Sequence, residues 1–138
     1  MPIVDCRLPI EMLRHPVRTE TQSDGRIRKW AKIEEAGAVK RFDKLLADIE
    51  AALSESPWLA GKEFSLADIG YAPYMLRLDH LQLQFLWDKR PHVPAWYERL
   101  QERRGYVEGL DKWLNASYLS LMKEKGLEVR ERVKAVLH

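Results

Sequence analysis

The chain has 138 residues, 46% hydrophobic and 32% charged, a balance typical of one folded domain rather than a disordered chain. Basic residues outnumber acidic ones by only 23 to 21, so the charge favours neither nucleic acid nor an anionic membrane as a partner. No apolar run is long enough to span a bilayer, no signal peptide is recognisable, and Cys6 has no second cysteine with which to form a disulfide. We therefore expect a cytoplasmic protein.

The first half of the chain predicts two helices joined by a polar loop. Residues 3 to 14 form a short first helix, and residues 19 to 25 form the loop. A long helix follows from about 26 to 55 and ends before Pro57. Gly37 lies inside it at a cost of about 1 kcal/mol relative to alanine, and we expect a bend or a close helix contact there. The long helix is predicted from apolar residues at helical spacing: Ala38, Phe42, Leu45, Leu46, Ile49, Ala52 and Leu53.

The segment after Pro57 predicts the start of another helix. Ser65 is a good N-cap, and Asp68 stands three residues later, where its carboxylate can accept from the Ser65 backbone amide in a capping box. Phe64 and Ile69 occupy the two positions of a hydrophobic staple. The helix should reach about Leu78. It is apolar on nearly all sides, so we expect it to be central and buried.

The second half of the chain predicts further helices and no strand. A helical turn is expected at 82 to 87, a helix at about 93 to 104, a short helix at about 106 to 114, and a tail helix from 116 to 137 that Gly126 interrupts. No segment alternates apolar and polar residues as a half-buried strand would. The predicted fold is therefore all-α, a bundle of five or six helices around the helix that begins at Ser65.

Two segments resemble the C-terminal helical domain of the glutathione transferases. Residues 58–61 followed by 64–69 are similar to the start of that domain's central helix. The next segment also matches, through Pro91, Val93, Trp96, Arg99 and Arg103. The resemblance covers residues 1 to 114 and implies a helical domain there, with residues 115 to 138 as a C-terminal helical extension packed on it or projecting from it.

The resemblance implies a partner domain and a shared active site. In the family, a thioredoxin-like domain binds the co-substrate glutathione and supplies the residue that stabilises its thiolate, and no segment of this sequence matches that domain. The helical domain lines the site for a small hydrophobic electrophile and contributes its first two helices to a homodimer. We therefore expect this chain alone to be inactive. The residues expected at the electrophile site are Leu8, Met12, Leu13, Tyr74 and Trp113.

Other combinations of reactive side chains have simpler explanations. The Ser65 and Asp68 pair is explained by helix capping, and no histidine stands in a relation to it that supports a catalytic triad. Cys6 beside Arg7 is more typical of a small packing residue than of a nucleophile. The four histidines have no i, i+4 pair, so we expect no metal site.

A second function is compatible with the same fold. Helical domains of this family also occur as non-catalytic interaction modules, and a free-standing domain could be one. The two alternatives predict different surfaces. A bare apolar patch on the first and central helices would indicate a missing partner domain. A tail helix that covers this patch would indicate a self-sufficient module.

Overall fold

The computed structural model describes residues 25–138, with side chains from Ile33 onward. It contains five α-helices: α1 (Gly25–Glu55), α2 (Leu66–His80), α3 (His92–Gln101), α4 (Arg104–Gly109) and α5 (Ala116–Leu137). Short 3-10 helices follow α2 at Gln84–Trp87 and α4 at Asp111–Trp113. No strand occurs within the described range, so the predicted all-α class is confirmed. The predicted first helix at 3 to 14 lies outside the described residues.

The core is assembled from one face of each long helix. Helix α1 contributes the buried side chains of Leu46, Ile49 and Leu53, and α3 contributes buried side chains at positions i, i+3, i+4 and i+7. Trp96 and Val93 are fully buried at its centre. The buried apolar side chains of α2, α3 and the turn between them are Ala72, Met75, Leu78, Leu83, Leu86, Trp87, Val93, Trp96, Tyr97 and Leu100.

The Asp68 carboxylate joins three parts of the fold. It is 0% exposed. Its Oδ2 accepts from the Ser65 amide at 2.9 Å and from the Ser65 hydroxyl at 3.2 Å. The bond from the Ser65 amide is one half of a capping box. Its Oδ1 accepts from the Trp96 indole at 2.8 Å and the Leu59 amide at 3.1 Å. Four donors thus replace water around the buried carboxylate and connect α2, the preceding turn and α3.

The turn before α2 depends on a glycine. Trp58 and Gly61 exchange two backbone hydrogen bonds of 3.1 Å. Gly61 has a φ of +133°, a conformation that side chains rarely adopt. Beside this turn, the Phe64 ring packs edge-on to Trp58 at 5.3 Å and lies 3.6 Å from the Arg103 guanidinium. The Phe64–Ile69 staple stays a prediction.

Glu50 of α1 caps the amino end of α3. Its carboxylate accepts from the His92 and Val93 amides, each at 3.1 Å, and contacts the His92 ring nitrogen Nδ1 at 2.6 Å. No side chain at the Pro91 N-cap position performs this role. A carboxylate more than forty residues earlier in the chain therefore satisfies the free amides of this helix end.

Gly126 brings α5 into direct contact with the end of α2. A Cβ built at this position would lie 1.8 Å from the carbonyl oxygen of Leu81. The expected interruption at Gly126 is wrong, because α5 continues through it and uses the missing side chain for close packing. Further along α5, Val133 is buried, and Arg130 lies over the Phe85 ring at 5.5 Å. The close contact expected at Gly37 is also not found, since a Cβ there would meet only the Arg41 guanidinium, at 3.5 Å.

We predict opposite effects of alanine at the two helical glycines. Gly126→Ala should lower the free energy of unfolding by about 2 kcal/mol or more, because the methyl group must displace α5 from the Leu81 backbone. Gly37→Ala should raise it by up to about 1 kcal/mol through helix propensity. Urea unfolding followed by circular dichroism measures both. A Gly126→Ala protein as stable as the parent would contradict the close contact.

Removal of the Asp68 carboxylate should be strongly destabilising. We expect Asp68→Ala to cost about 3 kcal/mol or more, because it leaves the Trp96 indole and two backbone amides without acceptors. Ser65→Ala should cost about 1 kcal/mol. The matched control is Asp48→Ala, which removes only an exposed pair with Lys44 and should cost about 0.5 kcal/mol or less. If Asp68→Ala and Asp48→Ala lower the free energy of unfolding equally, the role given to Asp68 is refuted.

Two buried tyrosines predict a loss of stability in alkali. The hydroxyls of Tyr97 and Tyr106 lie 3.1 Å apart, and burial raises the pKa of both. The unfolded chain loses these protons above about pH 10 while the folded chain keeps them, so the free energy of unfolding must fall as pH rises beyond that point. Urea unfolding between pH 9 and pH 11 should show this fall, and Tyr97→Phe should make it shallower. If the free energy of unfolding of Tyr97→Phe falls with pH as steeply as that of the parent, the loss of stability does not come from these tyrosines.

Candidate functional site

The first turns of α2 present an exposed apolar face. Leu66 is 84% exposed and Ile69 is 52% exposed, and Gly70 and Pro73 are also exposed. These four residues stand at i, i+3, i+4 and i+7 and therefore share one side of the helix. We call them the α2 face. The expectation that α2 is buried all round is wrong, because only the opposite side, with Ala72, Met75 and Leu78, packs into the core.

The capping network determines where this face points. Asp68 is on the buried side of α2, and its bonds to Ser65, Leu59 and Trp96 fix the rotation of the first turn about the helix axis. Since successive residues turn by about 100°, Leu66 and Ile69 must then face outward. Large apolar side chains grouped on one exposed side are typical of a binding surface.

The tail helix covers the other end of α2. Near its start, Tyr118 accepts a hydrogen bond from Arg77, and further along Gly126 contacts Leu81. Both partners belong to the last turn of α2 or the residue after it. These contacts between α5 and α2 thus fall at the carboxyl end of α2, away from the α2 face.

An aromatic cluster lies between α1 and α2. The Tyr74 ring is 6.2 Å from Phe42 and 6.3 Å from Tyr71, and all three side chains are half-buried. Burial raises the pKa of Tyr74 above its ordinary value, which already lies well above neutral. Its phenol can therefore donate a hydrogen bond at neutral pH. The cluster therefore offers apolar ring surface with one polar group, which suits an apolar ligand that carries an acceptor.

Of the other residues expected at the electrophile site, the structure describes only Trp113. Trp113 is 81% exposed, and its indole donates to the Glu108 carbonyl at 3.2 Å within the same short segment. Leu8, Met12 and Leu13 lie outside the described residues, and so does Cys6. Their place at a site stays a prediction.

Two other functional features are absent from the described residues. Within residues 25–138, no three histidine, cysteine or acidic side chains are grouped so that they could hold a metal ion. None of the helices in that range is both long and apolar enough to cross a membrane.

Comparison with known proteins identifies the family. Residues 26–99, more than half of the chain, match the family model described as "Glutathione S-transferase, C-terminal domain". A glutathione S-transferase of Arabidopsis thaliana is 34% identical over 94 residues, which are 66% of this chain and 36% of that protein. The glutathione S-transferase GstB of Escherichia coli is 38% identical over 64 residues, which are 46% of this chain and 30% of that protein.

The name of a third relative states a different activity. The tetrachloro-p-hydroquinone reductive dehalogenase of Sphingobium chlorophenolicum is 32% identical over 65 residues, which are 47% of this chain and 26% of that protein. The matched parts span about a third of these relatives or less. No solved structure matches the chain. The all-helical fold, the Asp68 capping network and the family match over residues 26–99 together show that this chain belongs to the glutathione S-transferase C-terminal domain family.

Proposed function

We propose that this chain is the helical half of a glutathione transferase and that the α2 face packs against a thioredoxin-like domain. The single observation that carries the proposal is the exposure of Leu66 and Ile69 on a helix turn held rigidly by a buried carboxylate. Burial of two such side chains in an interface stabilises it by roughly 2 kcal/mol each. The relatives that carry the transferase name are about three times longer than the part matched here, which leaves room for such a domain.

The assembled protein would conjugate glutathione to a small hydrophobic electrophile. The thioredoxin-like domain would bind glutathione and stabilise its thiolate, so this chain alone is expected to be inactive. The helical domain would form the wall of the electrophile site. Tyr74 with Phe42 and Tyr71 supports this role, since the cluster combines apolar rings with a protonated phenol. Leu8, Met12, Leu13 and Trp113 are the further residues proposed for that wall.

The remaining assignments follow from the family. We propose a homodimer formed through the first two helices of the domain and a cytoplasmic location. Neither nucleic acid nor membrane is proposed as a partner, because the chain carries nearly equal numbers of basic and acidic residues.

One observation favours the alternative, a non-catalytic interaction module. Helix α5 covers the end of α2 through the Gly126 contact, so part of the central helix is already enclosed by the chain itself. In that alternative the α2 face would bind another protein and no thioredoxin-like domain would be joined to the chain.

The mass of the native protein distinguishes the two functions. An antibody raised against residues 120–138 would recover the protein from its own cells, and intact mass spectrometry would follow. The transferase proposal predicts a species larger than 16.2 kDa by about one small domain, with activity towards glutathione and a small electrophile. A native species of 16.2 kDa would refute that proposal and leave the interaction module.

Charge on the α2 face should damage the longer protein and spare the isolated chain. We expect Leu66→Glu with Ile69→Glu to change the stability of the isolated chain by about 0.5 kcal/mol or less, because both side chains are exposed there. In the longer protein the same pair should lower kcat/KM at least about tenfold by separating the domains. Leu127→Glu, at an exposed position of α5, is the matched control. Equal kcat/KM for the double variant and this control would count against the interface.

A further inference from the structure

A polar groove lies between the end of α2 and the start of α5. Its volume is about 300 Å³, and Asp79, His80, Gln82, Leu119, Ser120 and Lys123 line it. This volume is at the lower limit of small-molecule sites and suits a compact ligand. We call it the α2–α5 groove. None of its lining residues belongs to the α2 face or to the aromatic cluster around Tyr74.

The two walls of the groove are held by contacts within the fold. Gly126 lies against the Leu81 backbone next to Gln82, so α5 cannot move towards α2 without a clash. Arg77 donates to the Tyr118 hydroxyl beside the groove. The groove is therefore formed in advance by helix packing, which limits the ordering cost of binding a ligand.

Lys123 supplies a positive charge that the described part of the chain does not neutralise. The other basic residues of α5 each have a partner. Lys125 pairs with Glu128 at 2.9 Å, Lys134 pairs with Glu131 at 2.8 Å, Arg132 pairs with Glu35 at 3.4 Å, and Arg130 lies over Phe85. No carboxylate or ring among the described residues contacts Lys123. Within the described part of the chain, its ammonium group therefore remains available to solvent and to a ligand in the groove.

The opposite wall carries a negative charge and a neutral donor. Asp79 accepts from the Gln84 amide through Oδ1, at 2.7 Å, and its Oδ2 has no hydrogen bond or ion pair with any described residue. Burial lowers the pKa of His80, so the imidazole is neutral at pH 7 and has one N–H to donate. A simple anion would approach Asp79 as well as Lys123, so the pair of opposite charges selects a ligand that carries both signs.

We propose that the α2–α5 groove binds a small zwitterion of amino-acid size, with its carboxylate at Lys123 and Ser120 and its ammonium group at Asp79. Leu119 provides an apolar surface for the side chain of such a ligand. This site is independent of the proposed transferase function, since it uses neither the α2 face nor the aromatic cluster.

The test is a titration of the 138-residue chain with L-leucine, followed by ¹H–¹⁵N NMR. Saturable shifts are expected at the amides of residues 79–82 and 119–123, with a Kd in the roughly millimolar range typical of so small a ligand. N-acetyl-L-leucine lacks the ammonium charge and L-leucinamide lacks the carboxylate, so each should bind at least about tenfold more weakly. Equal binding of either analogue would overturn the proposal, as would the absence of saturable shifts.

Variants locate the two charges. Lys123→Gln and Asp79→Asn should each weaken leucine binding by about tenfold. The matched controls are Lys125→Gln, on the same helix but paired with Glu128, and Asp88→Asn, which is exposed outside the groove. Circular dichroism would verify that every variant is folded. If either Lys123→Gln or Asp79→Asn binds leucine as the parent does, or if the two controls lose binding equally, the assignment to the α2–α5 groove is wrong.

Discussion

The buried carboxylate of Asp68 is the interaction on which the rest of this structure depends. A charge removed from water is costly unless donors surround it, and here four donors come from the N-cap, the preceding turn and α3. The same bonds that begin α2 therefore also orient it against Trp96. Once that rotation is fixed, the helix must bury one side and expose the other, and the α2 face is a direct consequence.

The central helix thus has two ends with different surroundings. Its amino end is anchored within the bundle by Asp68 and leaves Leu66 and Ile69 exposed. Its carboxyl end is covered by α5 through Gly126 and through Tyr118, whose hydroxyl accepts from Arg77. A domain without a partner would be more stable if the chain itself covered the apolar surface at both ends of α2. The difference between them supports docking of another domain at the amino end, while the α2–α5 groove forms at the enclosed end.

Local chemistry explains which parts of the fold could be predicted from the sequence. The helix starting after Ser65 and the helix ending before Pro57 follow from capping and from proline, which act within a few residues. The direction of the α2 face could not be predicted, because a helix that is apolar on nearly all sides contains no periodic signal. The interruption predicted at Gly126 was wrong for a similar reason, since glycine weakens a helix locally yet permits close packing that only the tertiary structure reveals. The long-range cap from Glu50 to α3 has no local pattern at all.

The site was less predictable than the fold. The site residues were expected from family resemblance, which carries over positions more reliably than side-chain surroundings. Tyr74 lies in an aromatic cluster and Trp113 is largely exposed, and their role at a site stays a prediction. The most direct test of the central claim is the accessibility of the α2 face in the proposed longer protein, in which a thioredoxin-like domain is joined to this chain. With Cys6 replaced by serine and Leu66 replaced by cysteine, the thiol should react with a small alkylating reagent at least about tenfold more slowly in the longer protein than in this chain. Equal rates in the two proteins would contradict the claim that the α2 face docks a second domain.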